Sequence, residues 1–128
     1  MANLSKGAIG EVLAARFLRQ KRYTVLSSNY RCRQGEIDII AQDGPYIVFV
    51  EVKTRSADAL YAPREAVTGA KQRRLILTAG VYLSRYPTDL QPRFDVVEVV
   101  TRAGAPAQVE EINHIIGAYE AGDLSRAF

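Results

Sequence analysis

The chain has 128 residues, with 17 Lys/Arg against 14 Asp/Glu and a net charge of +3. That length supports one domain, spanning 1–128, and is too short for two. The lone Cys32 and lone His114 exclude an internal disulfide, a cysteine metal cluster and a His-rich zinc site. Any metal would therefore be held by oxygen ligands, which suits Mg²⁺ or Mn²⁺. No apolar run is long enough to span a bilayer, and Met1 to Lys6 lack the apolar stretch of a signal peptide, so the expectation is a cytoplasmic protein.

Ser5 to about Gln20 reads as a helix, with Ile9, Leu13 and Phe17 at a spacing of four. A second stripe on it, Gly7, Glu11, Ala14, Ala15 and Leu18, is small and apolar apart from Glu11. Gly7 and Gly10 would let this helix approach a sheet closely. Tyr23 to Tyr30 reads as a first strand, and Arg31-Cys32-Arg33-Gln34-Gly35 as a basic turn. Glu36 to Gln42 and Tyr46 to Thr54 read as two further strands, joined in a hairpin through Asp43-Gly44-Pro45. Arg55 to Ala62 reads as a loop.

Thr68 is placed to cap a long helix to about Tyr86, with a short turn at Pro63 before it. The stripe Gln72, Ile76, Ala79, Leu83, Tyr86 would face inward. Phe94 to Thr101 reads as an apolar strand and Ala103 to Pro106 as a turn. Val109 to Asn113 reads as a further strand, and Ile115 to Tyr119 as a short helical turn. The residues after Glu120 read as a loose tail. The order is αβββαβ with a short βα end, an α/β domain in which a mixed sheet is flanked by helices.

Side chains alternate across a strand. In Tyr46–Thr54 one face carries Ile47, Phe49, Glu51 and Lys53, and the other Val48, Val50 and Val52. In Glu36–Gln42 one face carries Glu36, Asp38 and Ile40, and the other Ile37, Ile39 and Ala41. A four-residue connection over Gln42 to Pro45 pairs Asp38 with Phe49 and Glu36 with Glu51. Asp38 and Glu51 are then diagonal neighbours roughly 7–8 Å apart at the backbone. Both could reach one cation at the roughly 2.1 Å that Mg²⁺ demands. Negative charge set among apolar residues calls for a counter-ion, and metal plus lysine is machinery for phosphodiester cleavage.

Each element of this pattern has a plainer reading. Glu-x-Lys on a strand can be a solvated ion pair. Glu11 can be a helix acid favoured by the macrodipole, and Gln72 an exposed glutamine at a helix start. The clusters Arg16, Arg19, Lys21, Arg22, then Arg31, Arg33, then Lys71, Arg73, Arg74 can be solvated faces. Beside a carboxylate site the same clusters suit a polyanionic substrate.

Taken together, Asp38…Glu51-Val52-Lys53 after a helix bearing Glu11 resembles the PD-(D/E)xK nuclease superfamily, with its restriction-endonuclease-like fold. Gly7-Ala8-Ile9-Gly10-Glu11, Gly35-Glu36-Ile37-Asp38, Phe49-Val50-Glu51-Val52-Lys53-Thr54-Arg55 and Arg93-Phe94-Asp95-Val96-Val97 look more closely like the bacterial YraN-like family of uncharacterised proteins. The resemblance runs from about Ser5 to Tyr119. It departs from the wider pattern at Ile37, where a proline precedes the first acid. It implies a three-layer α/β core and Mg²⁺ or Mn²⁺ as cofactor. Asp38 and Glu51 would be ligands, with the Val52 carbonyl a third and Glu11 a further ligand or supporting acid. Lys53 would orient the attacking water and stabilise charge, and Gln72 would position. Glu36 belongs to the closer family's pattern and would sit behind the ligands. Arg31, Arg33, Arg55, Lys71, Arg73 and Arg74 would contact nucleic acid. The superfamily's archaeal Holliday-junction resolvases are dimeric, so a homodimer acting on branched DNA is among the implications.

Three functions follow as expectations. One is a metal-dependent nuclease on DNA or RNA, more fitted to structure than to sequence, because no recognition helix is visible. The second is a nucleic-acid-binding module with little turnover. The third is an interaction protein whose acids only stabilise a hairpin.

Overall fold

The computed structural model describes residues 6–59 and 68–121. The expected turn at Pro63 and the tail from 122 lie outside them. Seven elements follow one another: α1 (Lys6–Gln20), β1 (Thr24–Cys32), β2 (Gly35–Asp43), β3 (Tyr46–Ser56), α2 (Gly69–Arg85), β4 (Gln91–Arg102) and β5 (Ala105–Tyr119). The five strands form one sheet in the order β1-β2-β3-β4-β5. β3 and β4 run parallel, joined through α2, and the other pairs are antiparallel.

Each helix buries one face of the sheet. Ala14, Ala15 and Leu18 of α1 pack with Ile39, Ala41, Val48, Val50, Val97 and Val99. Leu75, Ala79 and Tyr82 of α2 pack with Ile37, Ile40, Ile47, Phe49, Phe94 and Val96. Central strands covered on both sides are apolar nearly throughout, which is why Ile47–Val50 reads as a continuous run and Val96–Val100 is interrupted only by Glu98. This is the three-layer α/β arrangement of a restriction-endonuclease-like core.

Local chemistry sets the element ends. α1 closes through Arg22 at φ 70°. The Arg22 amide bonds Arg19 and the Tyr23 amide reaches back to the Leu18 carbonyl at 3.0 Å, a left-handed helix stop that turns the chain into β1. The Thr68 hydroxyl accepts from the Lys71 amide and caps α2.

Several expectations change. Asp43 pairs with Tyr46, so the hairpin loop is only Gly44-Pro45, and the register is Ile40↔Phe49. Asp38 is therefore not paired with Phe49, nor Glu36 with Glu51. The turn chemistry decides this: Gly44 at φ 55° permits a two-residue loop. β3 continues to Ser56 where a loop was expected from Arg55. Ile115 to Tyr119 is strand, not helix, because β5 stays paired to β4 as far as Phe94↔Tyr119. The buried face of α2 is Leu75, Thr78, Ala79, Gly80 and Tyr82. Tyr86 is exposed.

Gly10, unlike Gly7, sits against the sheet. A Cβ on Gly10 would overlap the Thr54 side chain of β3, whereas one on Gly7 would meet open space. Gly10→Ala is expected to destabilise by about 1–3 kcal/mol by overpacking, despite the better helix propensity of alanine. Thr54→Ala in the same chain should recover most of that loss in a chemical-denaturation double-mutant cycle. An additive pair would show that the contact is not the cause.

Candidate active site

The site forms where β2 and β3 part. Their ladder is paired as far as Ile39↔Val50, while β3 continues alongside β4 to Ser56. At the fork the Asp38 side chain replaces a backbone partner: its Oδ2 accepts from the Val52 amide at 2.8 Å. The strand's alternation also breaks here. Ile37 packs on the α2 side with Ile40, against the expected grouping with Ile39 and Ala41. Asp38 and Ile39 both line a cleft on the α1 side. Glu51 lines a cleft on the α2 side with Gly35, Glu36, Lys71, Arg74 and Leu75. Asp38 and Glu51 thus line different clefts, and the fork sets them close enough for the Glu51 charge to act on Asp38.

Glu11 completes the acidic group. It stands in the second turn of α1, whose first turn holds no acid, so the macrodipole does not account for it. One carboxyl oxygen each from Glu11, Glu36 and Asp38 lie within 4.8 Å of one another. Glu36 is the most open of them and pairs with Arg31 at 3.3 Å on the surface.

Lys53 lies on the other side of Glu51, with Nζ 3.1 Å from Oε1. Burial works to lower the Lys53 pKa, but Glu51, helped by Asp38, outweighs it and holds the pKa above its ordinary value. Lys53 is a cation at neutral pH. Its ammonium in turn depresses the pKa of Lys71 at the start of α2. The Asp38 carboxyl is pushed up to about 8, first by burial, then by Glu51 and more weakly by Glu11, against the opposing Val52 hydrogen bond.

This has a stability consequence for the metal-free protein. Folded Asp38 keeps a proton over a pH range in which the unfolded chain has lost it, so stability falls as pH rises from 3.8 to about 8. Asp38→Asn retains an acceptor for Val52 and removes the charge. It is expected to stabilise the chelator-treated protein at pH 8 by about 3 kcal/mol, discounted for the partly open cleft, and to have little effect near pH 4. Thermal melts at the two pH values check this. A variant less stable than the parent at pH 8 would contradict the charge crowding.

The other expected residues fall out unequally. Lys71 and Arg74 line the cleft beside Glu51. Gln72 is half-buried one position along α2, and Arg73 is exposed. Arg31 borders the acidic group, and Arg33 is exposed in the β1–β2 turn. The Arg55 guanidinium is committed inward, its Nε 2.8 Å from the fully buried Glu98. Val52, whose carbonyl the resemblance offers as a ligand, donates its amide to Asp38 at the fork.

Two groups escaped the sequence. Ser28 and Asn29 line the cleft that Asp38 opens into, beside Arg19 of the first basic cluster; nothing in the spacing of β1 marks them. Asp95 is buried and ligated by Arg93, His114 and the Gly117 amide, although Arg93-Phe94-Asp95 was visible as a motif.

Comparison with known proteins agrees with the resemblance. Residues 10–99 match the family described as "Uncharacterised protein family UPF0102". A UPF0102 protein of Symbiobacterium thermophilum is 54% identical over 94 residues, covering 73% of this chain and 80% of the relative. One from Geobacter metallireducens is 45% identical over 119 residues, covering 92% and 94%. One from Caldanaerobacter subterraneus is 42% identical over 114 residues, covering 88% and 93%. No helix among the described residues is long and apolar enough to cross a membrane. By the match over most of its length and by these relatives, the chain belongs to the UPF0102 family, the YraN-like group.

Proposed function

We propose that this protein is a divalent-metal-dependent nuclease that hydrolyses phosphodiester bonds of nucleic acid, with branched DNA as the substrate to test first. The observation that carries the reading is the fork itself. Glu11 and Glu36 stand beside Asp38, the Glu51 charge acts on Asp38 across it, and Lys53 touches Glu51. Carboxylates crowded this closely are disfavoured unless a cation lies among them. The donors are all oxygens, which fits Mg²⁺ or Mn²⁺.

Asp38, Glu51 and Glu11 are the residues that would hold such an ion, with Glu36 supporting. Bound there, it would polarise the scissile phosphate and neutralise developing charge. The protein's own groups do the rest. The Val52 amide fixes the Asp38 carboxyl. Lys53, held as a cation by Glu51, orients the attacking water and stabilises charge building on the phosphate; being protonated, it is not the base. Lys71 and Arg74 offer positive charge on the α2 side of the cleft to the phosphate backbone.

Titration of Mn²⁺ into the chelator-treated protein tests the reading. Saturable binding that Asp38→Asn weakens at least tenfold is expected. No binding at millimolar Mn²⁺ would overturn the metal site.

A further inference from the structure

The cleft beside Asp38 does not end at the acids. On the α1 side it is lined by Ala8, Glu11, Val12, Ala15, Arg19, Ser28, Asn29, Asp38 and Ile39, with a volume of about 270 Å³. A second hollow of about 570 Å³ is lined by Gly7, Ala8, Glu11, Asn29, Arg31 and Glu36. Ala8, Glu11 and Asn29 line both, so the two form one groove between α1 and β1. Glu11 is common to both hollows, Arg19 lines the first, and Arg31, paired with Glu36, lines the second.

Asn29 has an unusual backbone. It is a strand residue at φ 54°, flanked by the pairs Ser28↔Ile39 and Tyr30↔Ile37 and hence opposite Asp38. Left-handed backbone inside a strand costs about 1 kcal/mol or more, even though asparagine tolerates it best. Tyr23, Val25 and Ser27 need no such turn, so the strain falls on the β1 residue at the acidic fork. Arg19 forms no ion pair among the described residues, although Glu11 lines the same cleft.

We propose that the α1–β1 groove carries one strand of the nucleic-acid substrate past the acids, with Arg19 contacting a backbone phosphate and Asn29 contacting the strand beside the fork. The proposal rests on the nuclease reading and extends it with a strand path. The charge pattern supports it: a cation where a phosphate would pass, small apolar residues Ala8, Val12 and Ala15 along the helix wall, and hydrogen-bonding Ser28 and Asn29 on the strand wall. A polyanion placed this way meets its negative centre only at the acids, where the reading puts a cation.

The test is binding of a labelled single strand and a labelled four-way junction as a function of salt, in the Lys53→Ala background so that the probes survive. Arg19→Gln is expected to weaken binding three- to tenfold at low salt and to lower the slope of log K against log salt by one contact, roughly 0.7 to 0.9. Asn29→Gly is expected to weaken binding several-fold with the slope unchanged. Its melting temperature should hold or rise, because glycine accepts the left-handed backbone. Arg85→Gln, exposed in the last turn of α2 and outside the groove, should change neither quantity. If the parent binds and Arg19→Gln and Asn29→Gly bind as it does, the groove is not the path and only this inference falls. If neither probe binds the parent, the nuclease reading falls and takes the groove with it.

Discussion

Lys53→Ala is expected to lower phosphodiester cleavage by about 100- to 1000-fold, the usual cost of removing one preorganised group that stabilises transition-state charge. The fold should survive the change. The Lys53–Glu51 pair is largely buried, with side chains 19% and 17% exposed, so leaving Glu51 without its partner is expected to cost about 1–3 kcal/mol, less than the whole stability of a domain. Mn²⁺ binding should also persist, because the carboxylates remain. The substitution further removes the neighbour that depresses the Lys71 pKa. Lys71 remains at the same cleft, and some residual activity is expected from it. Lys53→Ala,Lys71→Ala should fall below either single variant. Cleavage by Lys53→Ala at the parent rate would remove Lys53 from the chemistry.

Asp95→Ala is expected to cost about 3–5 kcal/mol of folding stability. Asp95 is fully buried in β4. Its Oδ1 accepts from Arg93 Nε at 2.9 Å and from the Gly117 amide at 3.0 Å. Its Oδ2 accepts from Arg93 at 3.0 Å and faces His114 Nε2 at 2.7 Å. Lys21 Nζ lies 2.7 Å from His114 Nδ1. An ammonium can only donate, so the imidazole is neutral and carries its proton on Nε2 toward Asp95. Truncation leaves an imidazole N–H and a backbone amide without their acceptor and takes one of two carboxylates from the buried Arg93, which keeps Asp43 at 2.9 Å. Burial works to raise the Asp95 pKa, but the bonds from His114, Arg93 and Gly117 outweigh it and leave it below 3.8. Its stabilisation is therefore present above that value and is lost as pH falls through the lower folded pKa. Urea unfolding checks the magnitude; a loss under about 1 kcal/mol would show that the network is not what pins β5 to β4.

These two residues show what the sequence could and could not reveal. Lys53 was readable because its partners are local: Glu51 is two positions away on the same strand, and Asp38 lies on the adjoining hairpin strand. The helix bearing Glu11 was readable from its small apolar stripe. Asp95 is different. Its partners include His114 and Gly117 on β5, and no pattern near Asp95 announces them. The run from Val96 to Val100 signalled a buried strand but said nothing of how Asp95 or Glu98 would be satisfied.

The register of the β2–β3 hairpin was missed for a local reason. Asp43-Gly44-Pro45 is a clear turn signal, but a two-residue and a four-residue connection differ by two positions in pairing. Only the backbone at Gly44 decides between them. The face assignment failed at Asp38, because strict alternation assumes an unbroken ladder. The Asp38 carboxyl takes the Val52 amide there, and the strands separate. The break coincides with the candidate site, so the residues where the pattern fails are those the proposed function would use.

Cleavage of a labelled panel decides whether this protein is a nuclease: duplex, single-stranded, flap and four-way junction DNA, and RNA, each with Mg²⁺, Mn²⁺ or chelator. The prediction is metal-dependent product on at least one DNA substrate, abolished by Asp38→Asn and by Lys53→Ala. Salt-sensitive binding with no product under any metal would contradict it and leave a nucleic-acid-binding protein that keeps the fork without the chemistry.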